Sequence, residues 1–257
     1  MAVDLSFSET GTGRPLVILH GLFGSKRNWA SIAATLADHR RVVTVDLRNH
    51  GESPWAEPHD YPSLADDVAD SIRRHAGGAA AVLGHSMGGK AAMMLALRSP
   101  ELVERLVVVD IAPGRSQGGV LAVLRAMQEV PLAACASRAD VENALAADIP
   151  ERAVRGFVAQ NVRIGPAGLS WRVNLDALER HAGDILGFPE VPVAQRFDKP
   201  TLFIAGSRSD YIRPEHHAEI RRLFPLATIE TIEGAGHWVH ADATEAFLKA
   251  VTRFTTA

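Results

Sequence analysis

The chain has 257 residues, 47% of them hydrophobic, and a formal net charge of -3 at pH 7. That length builds one large domain with a sizeable core, or a domain carrying an insertion. The charge leaves no electrostatic footprint for nucleic acid or an anionic membrane as partner, and no apolar run approaches the ~20 residues of a membrane span.

Cys135 is the single cysteine, which excludes an intrachain disulfide and points to a reducing, cytoplasmic compartment. Met1 to Leu5 shows neither the basic nor the apolar region of a signal peptide.

In chain order, Val3 to Ser8 alternates apolar and polar residues, as a half-exposed edge strand does. Pro15 to His20, Arg41 to Asp46, Ala79 to Leu83, Leu106 to Asp110 and Thr201 to Ala205 are short, β-branched and apolar on both faces. Strands of a parallel sheet covered by helices on each side have that character. Ala227 to Ile232 is also strand-like. Between strands, Ser63 to His75 places Leu64, Val68 and Ile72 at helical spacing, with Ser63 as N-cap after Pro62. Lys90 to Arg98 and Ala243 to Phe254 are further helices.

From about Pro113 to Asp198 the rhythm breaks. Helical patterns occur around Val120 to Gln128, Asp140 to Ala147, Glu151 to Asn161 and Leu175 to Ala182, with no convincing strand. The predicted architecture is a mostly parallel α/β sheet flanked by helices, built from residues 1–112 and 199–257, with a helical cap at 113–198. Such a cap lies over the carboxyl edge of the sheet, where open α/β folds bind ligands. The sequence contains no repeat or low-complexity tract.

Gly84-His85-Ser86-Met87-Gly88-Gly89 ends one predicted strand and opens a predicted helix. A G-x-S-x-G turn in that context holds a nucleophilic serine on a sharp, strained elbow, because residues without a Cβ let strand and helix pass closely. Ser86 is the candidate nucleophile. A serine hydroxyl needs a base to take its proton and a third group to orient that base. His237, in the small-residue loop Gly234-Ala235-Gly236-His237-Trp238 late in the chain, is the candidate base.

The oxyanion hole is expected from the amides of Met87 and of Leu22, the latter in the loop His20-Gly21-Leu22-Phe23-Gly24-Ser25. His20 and Gly21 shape that loop. Phe23, Trp171 and Trp238 are candidate pocket residues.

The acid is less direct. The usual Gly-x-x-Asp after the fifth apolar run would place it three residues beyond Gly206, which is Ser209; Asp210 stands one step late. A hydroxyl at Ser209 can accept the His237 N–H but cannot stabilise the imidazolium by charge. Asp110, at the carboxyl end of Leu106 to Asp110, is therefore assigned as the acid, with Ser209 as a supporting hydrogen-bond partner. Asn49, His50, His85 and His240 are read as structural. No metal-ligand spacing and no phosphate loop are visible, so no metal or cofactor is expected.

His20-Gly21-Leu22-Phe23-Gly24-Ser25, Asp46-Leu47-Arg48-Asn49-His50-Gly51, the Gly84 to Lys90 elbow, Val109-Asp110-Ile111-Ala112-Pro113, Trp171-Arg172-Val173-Asn174 and Gly234 to His240 together resemble the YbfF-type esterases of the α/β-hydrolase superfamily. The resemblance covers nearly the whole chain. It implies an α/β-hydrolase fold, carboxylesterase activity on a small-molecule acyl ester extending to thioesters, no cofactor, and a tetrad of Ser86, Asp110, Ser209 and His237. Carbon–carbon bond hydrolysis, lactone opening or perhydrolysis at the same site, and a non-catalytic ligand-binding module, stand as alternatives.

Overall fold

Runs such as Arg41-Val42-Val43-Thr44-Val45 leave almost no polar face, so the strands they form must be covered on both sides. The computed structural model of the protein describes residues 1–117 and 119–256. Its strands are β1 (Phe7–Thr10), β2 (Pro15–Leu19), β3 (Arg41–Val45), β4 (Ala80–His85), β5 (Val103–Val109), β6 (Val162–Gly165), β7 (Gly168–Trp171), β8 (Thr201–Gly206) and β9 (Ala227–Ile232).

Seven of them form one sheet in the order β1-β3-β2-β4-β5-β8-β9. Every pairing is parallel except that of β1 with β3. The edge strand begins at Phe7 rather than Val3, where pairing with Val45 starts, and all four of its residues are exposed.

The helices are α1 (Ala30–Leu36), α2 (Tyr61–Ser71), α3 (Met87–Arg98), α4 (Gly119–Glu129), α5 (Arg138–Ala144), α6 (Arg152–Ala159), α7 (Leu175–Arg180), α8 (Ala182–Leu186), α9 (His217–Leu223), α10 (Val239–Asp242) and α11 (Thr244–Thr256). Helix α2 is capped by Asp60, whose side chain accepts the Ser63 N–H, and not by Ser63. Pro62 is tolerated in the first turn, where no intrahelical N–H bond is needed, so the helix starts before it.

One face of the sheet packs Val43, Val45, Val82 and Val108 against α2 and α3. The other packs Leu16, Ile18, Leu83 and Val107 against α1 and α11, with Trp29 and Phe247 among the largest buried side chains. Burying a side chain of this class contributes about 1.5–3 kcal/mol, so the two layers hold the carboxyl ends of β4, β5 and β8 in fixed register.

The segment between β5 and β8 holds α4 to α8 and its own apolar cluster of Leu124, Met127, Val141, Leu145, Val158 and Leu178. It also holds an antiparallel hairpin, β6 with β7, which the sequence reading missed. The hairpin is short and mostly exposed on one side, so it lacks the apolar run that marks the sheet strands.

Side chains tie this segment to the sheet domain. Asn174 Nδ2 donates to Asn49 Oδ1 at 3.0 Å, and Asn161 Nδ2 to the Phe23 carbonyl at 2.7 Å. Tyr61 Oη donates to the Ile185 carbonyl at 2.6 Å. The fully buried Lys90 donates to the carbonyls of Leu186 at 2.9 Å and Gly187 at 2.6 Å.

Candidate active site

Ser86 sits between β4 and α3 with φ 52° and ψ -118°, a backbone conformation that L-residues rarely adopt. Two glycines make the turn possible. A Cβ on Gly88 would lie 2.5 Å from the carbonyl oxygens of Leu19 and His20, and one on Gly84 would overlap the Gly88 carbonyl. The Ser86 amide donates to Val109 at 3.0 Å, fixing the elbow to the neighbouring strand.

Three side chains form a continuous chain of hydrogen bonds. His237 Nε2 is 3.0 Å from Ser86 Oγ, and His237 Nδ1 is 2.7 Å from Asp110 Oδ2. With the proton on Nδ1 donated to the carboxylate, Nε2 presents its lone pair to the serine hydroxyl. Asp110 is wholly buried and also strained, at φ 51°. Its amide donates to Ile204 at 2.8 Å, and its Oδ1 accepts the Gly206 amide at 3.0 Å. Strain at both Ser86 and Asp110 marks a place where surrounding structure over-determines the backbone, the pattern of a functional site.

Ser209 is a hydrogen-bond partner of the acid, but it does not accept the His237 N–H: its hydroxyl donates to Asp110 Oδ2, the oxygen that also accepts the His237 Nδ1–H. The turn after β8 aims it at the carboxylate because Ser209 N is held by the Gly206 carbonyl at 3.0 Å. Asp210 is exposed and takes no part in this hydrogen-bond chain.

The loop after β2 is set by two buried histidines. His20 Nε2 accepts the Leu47 amide at 2.9 Å while Nδ1 donates to the Gly21 carbonyl at 2.8 Å. His50 Nε2 accepts the Phe23 amide at 3.3 Å while Nδ1 donates to the Arg48 carbonyl at 3.0 Å. Burial pushes both below the usual histidine range, most strongly His50, which keeps each neutral and able to accept. Phe23 adopts φ 59° in this loop.

His85, also buried and held well below its usual range by burial, donates to the His237 carbonyl at 2.9 Å. The Tyr211 ring stacks on His237 at 4.0 Å between centroids. That contact was not foreseen; the one sequence signal is an aromatic two residues beyond Ser209.

Ser86 and His237 line a cavity of about 380 Å³, within the range of small-molecule sites. Leu22, Phe23, Val123, Val154, Phe157 and Trp238 are among its walls. Trp238 lies 5.2 Å from Phe157, ring centre to ring centre. Trp171, expected at the pocket, is not in its lining: it pairs with Val162 in the hairpin and packs on the apolar cluster of the inserted segment. A tryptophan on that hairpin faces the segment's own core, which needs the area it buries.

A family model described as the alpha/beta hydrolase fold matches residues 14–244. The chain is 42% identical to the sn-1-specific diacylglycerol lipase of Mus musculus, over 93% of this chain and 80% of that one. It is 33% identical to the esterase YbfF of Escherichia coli, over 93% and 92%. A solved marine microorganism esterase superposes with a TM-score of 0.95 at 34% identity, covering 98% of this chain and all of that one. With its elbow serine in a seven-stranded, mostly parallel sheet, the chain belongs to the alpha/beta hydrolase fold family, among the YbfF-type esterases.

Proposed function

We propose that this serine carboxylic ester hydrolase acts on small-molecule esters, and on thioesters by the same acyl transfer, through an acyl-enzyme on Ser86. The observation that carries this is the chain Ser86–His237–Asp110 in the wall of an apolar cavity. The esterase and lipase names of the relatives agree with it.

Ser86 Oγ attacks the ester carbonyl carbon while His237 Nε2 takes its proton. Asp110 holds the imidazole in the required tautomer and stabilises the imidazolium. The Leu22 and Met87 amides hold the oxyanion, each contributing about 3 kcal/mol. Leu22 is the donor from its loop because the Phe23 amide is taken by His50 and the Gly24 amide by Gly21. Collapse breaks the ester C–O bond, and His237 returns its proton to the leaving alkoxide. A water deprotonated by His237 then releases the acid and restores Ser86.

Phe23 and Trp238 shape the acyl side of the pocket. Residues 113–198 act as a cap over a core of residues 1–112 and 199–257. Among the described residues no helix is long and apolar enough to cross a membrane; the single cysteine fits a reducing compartment, and we place the enzyme in the cytoplasm.

The test is a series of 4-nitrophenyl esters of increasing acyl length. The wild type turns over at least one of them. Ser86→Ala loses at least about 10⁴ in kcat on it; a Ser86→Ala protein with wild-type turnover contradicts the proposal.

A further inference from the structure

A second cavity, of about 230 Å³, adjoins the first at His237. It shares His237, Tyr211, Ile111, Ser116 and Gln117 with the acyl cavity, so the catalytic histidine stands in the wall between the two. Their chemistry differs. Where the first is walled by leucine, valine and phenylalanine, the second is rimmed by Arg115, Arg208 and Arg213, with Asp210 as the one carboxylate among its described lining residues.

This is a concentration of positive charge on a chain whose net charge is -3. Among the described residues, Arg115 and Arg208 form no ion pair. Arg213 is paired only with the exposed Glu215, at 2.9 Å, and its Nε is buried with no protein acceptor. His216 adds no cation to the rim: its Nδ1 accepts the Arg213 amide at 3.1 Å, and burial with the Arg213 charge beside it holds it below the usual histidine range.

The direction of proton transfer says what this cavity receives. His237 Nε2 faces Ser86 and must deliver its proton to the leaving oxygen, so the leaving group departs along the His237 wall. The acyl chain, by its apolarity, takes the first cavity. We propose that the alcohol portion of the physiological ester carries an anionic group, a carboxylate or a phosphate, that seats among Arg115, Arg208 and Arg213. Guanidinium groups bind either anion in paired hydrogen bonds, which fixes orientation as well as charge. The proposal rests on the acyl-transfer reading above, because the proton delivered by His237 sets where the leaving group lies.

The test compares two esters with one acyl group and one leaving oxygen: 4-(butyryloxy)-3-nitrobenzoate and its neutral methyl ester. The wild type prefers the carboxylate by about tenfold or more in kcat/KM, as a charge-assisted contact requires. In Arg208→Gln/Arg213→Gln, with folding verified by circular dichroism, the ratio of the two values falls to near one. Equal rates in the wild type, or a preference that survives in the double variant, overturn the proposal.

Calorimetry with phenyl phosphate and with benzoate separates the two anion sources; the tighter binder names the group. It also separates the two claims. Phenyl phosphate or benzoate bound by the wild type and lost in the double variant, with neither ester hydrolysed, keeps the anion site and sinks the acyl-transfer reading. Hydrolysis of both esters at equal rates, with neither anion bound, does the reverse.

Discussion

Asp110→Asn tests the assignment of the acid, because an amide in its place meets a donor at either oxygen position and is accommodated only by changing its neighbours. Three donors converge on the carboxylate. His237 Nδ1 and the Ser209 hydroxyl meet Oδ2, and the Gly206 amide meets Oδ1. An asparagine NH₂ at the Oδ1 position faces a backbone N–H that cannot turn away. At the Oδ2 position it faces groups that can adjust: the Ser209 hydroxyl rotates and His237 moves its proton to Nε2.

The second arrangement is the cheaper, and it is inactive, since Nε2–H can no longer accept the Ser86 proton. A wrong tautomer in a triad of this type costs about 10⁴ in kcat, or about 5.5 kcal/mol of transition-state stabilisation. Steady-state hydrolysis of 4-nitrophenyl butyrate measures it directly. Asp210→Asn, which leaves all three bonds in place, retains turnover of that neutral ester. An Asp110→Asn enzyme within about tenfold of wild type, or an Asp210→Asn enzyme as impaired as Asp110→Asn, refutes the assignment.

Ser209→Ala removes one donor from the buried carboxylate, a contact to a charged group worth about 1.5–3 kcal/mol, and lowers kcat by about 10- to 100-fold while Asp110 still orients His237; an unchanged kcat counts against a role for this hydroxyl. Burial, with Arg115 nearby, pulls the Lys90 ammonium down to about 7. Between pH 7 and its unfolded value the unfolded chain holds more protons, so stability rises with pH in that window. Urea midpoints of the wild type climb from pH 7 to pH 10 relative to Lys90→Met; parallel curves refute this. Burial holds His59 at about 3, and burial with His237 beside it holds His240 at about 4. Below the unfolded histidine value of about 6.5 the unfolded chain takes up these protons first, so stability falls as pH drops from there toward 4. His240→Phe, which keeps an aromatic ring against Trp29, flattens that acid limb; an unchanged limb removes His240 from the account.

Much of this site was legible in the sequence where one local pattern forces one geometry. The glycines around Ser86 demand the elbow, and a short apolar run such as Ala79 to Leu83, ending at that elbow, reads as a strand covered on both faces. Spacing puts Asp210 one residue beyond the usual acid position, and in the fold it is exposed while Asp110 meets His237. What local pattern does not encode is direction across the fold. Ser209 donates to the carboxylate rather than accepting from His237 because the turn after β8 is pinned at Gly206, a contact set by tertiary position.

Trp171 was indistinguishable from a pocket aromatic until the hairpin placed it against Val162. Gly165-Pro166-Ala167-Gly168 was a turn signal that could have revealed that hairpin. The contrast between an apolar and an arginine-rimmed cavity that meet at His237 draws on residues far apart in the chain and exists only in the folded molecule.

The most direct measurement is intact mass after treatment with a fluorophosphonate, which phosphonylates a serine only when a base has activated it. The wild type gains the mass of one adduct and Ser86→Ala gains none. An adduct that persists in Ser86→Ala, or a folded wild type that gains none, contradicts the claim that Ser86 is the activated nucleophile.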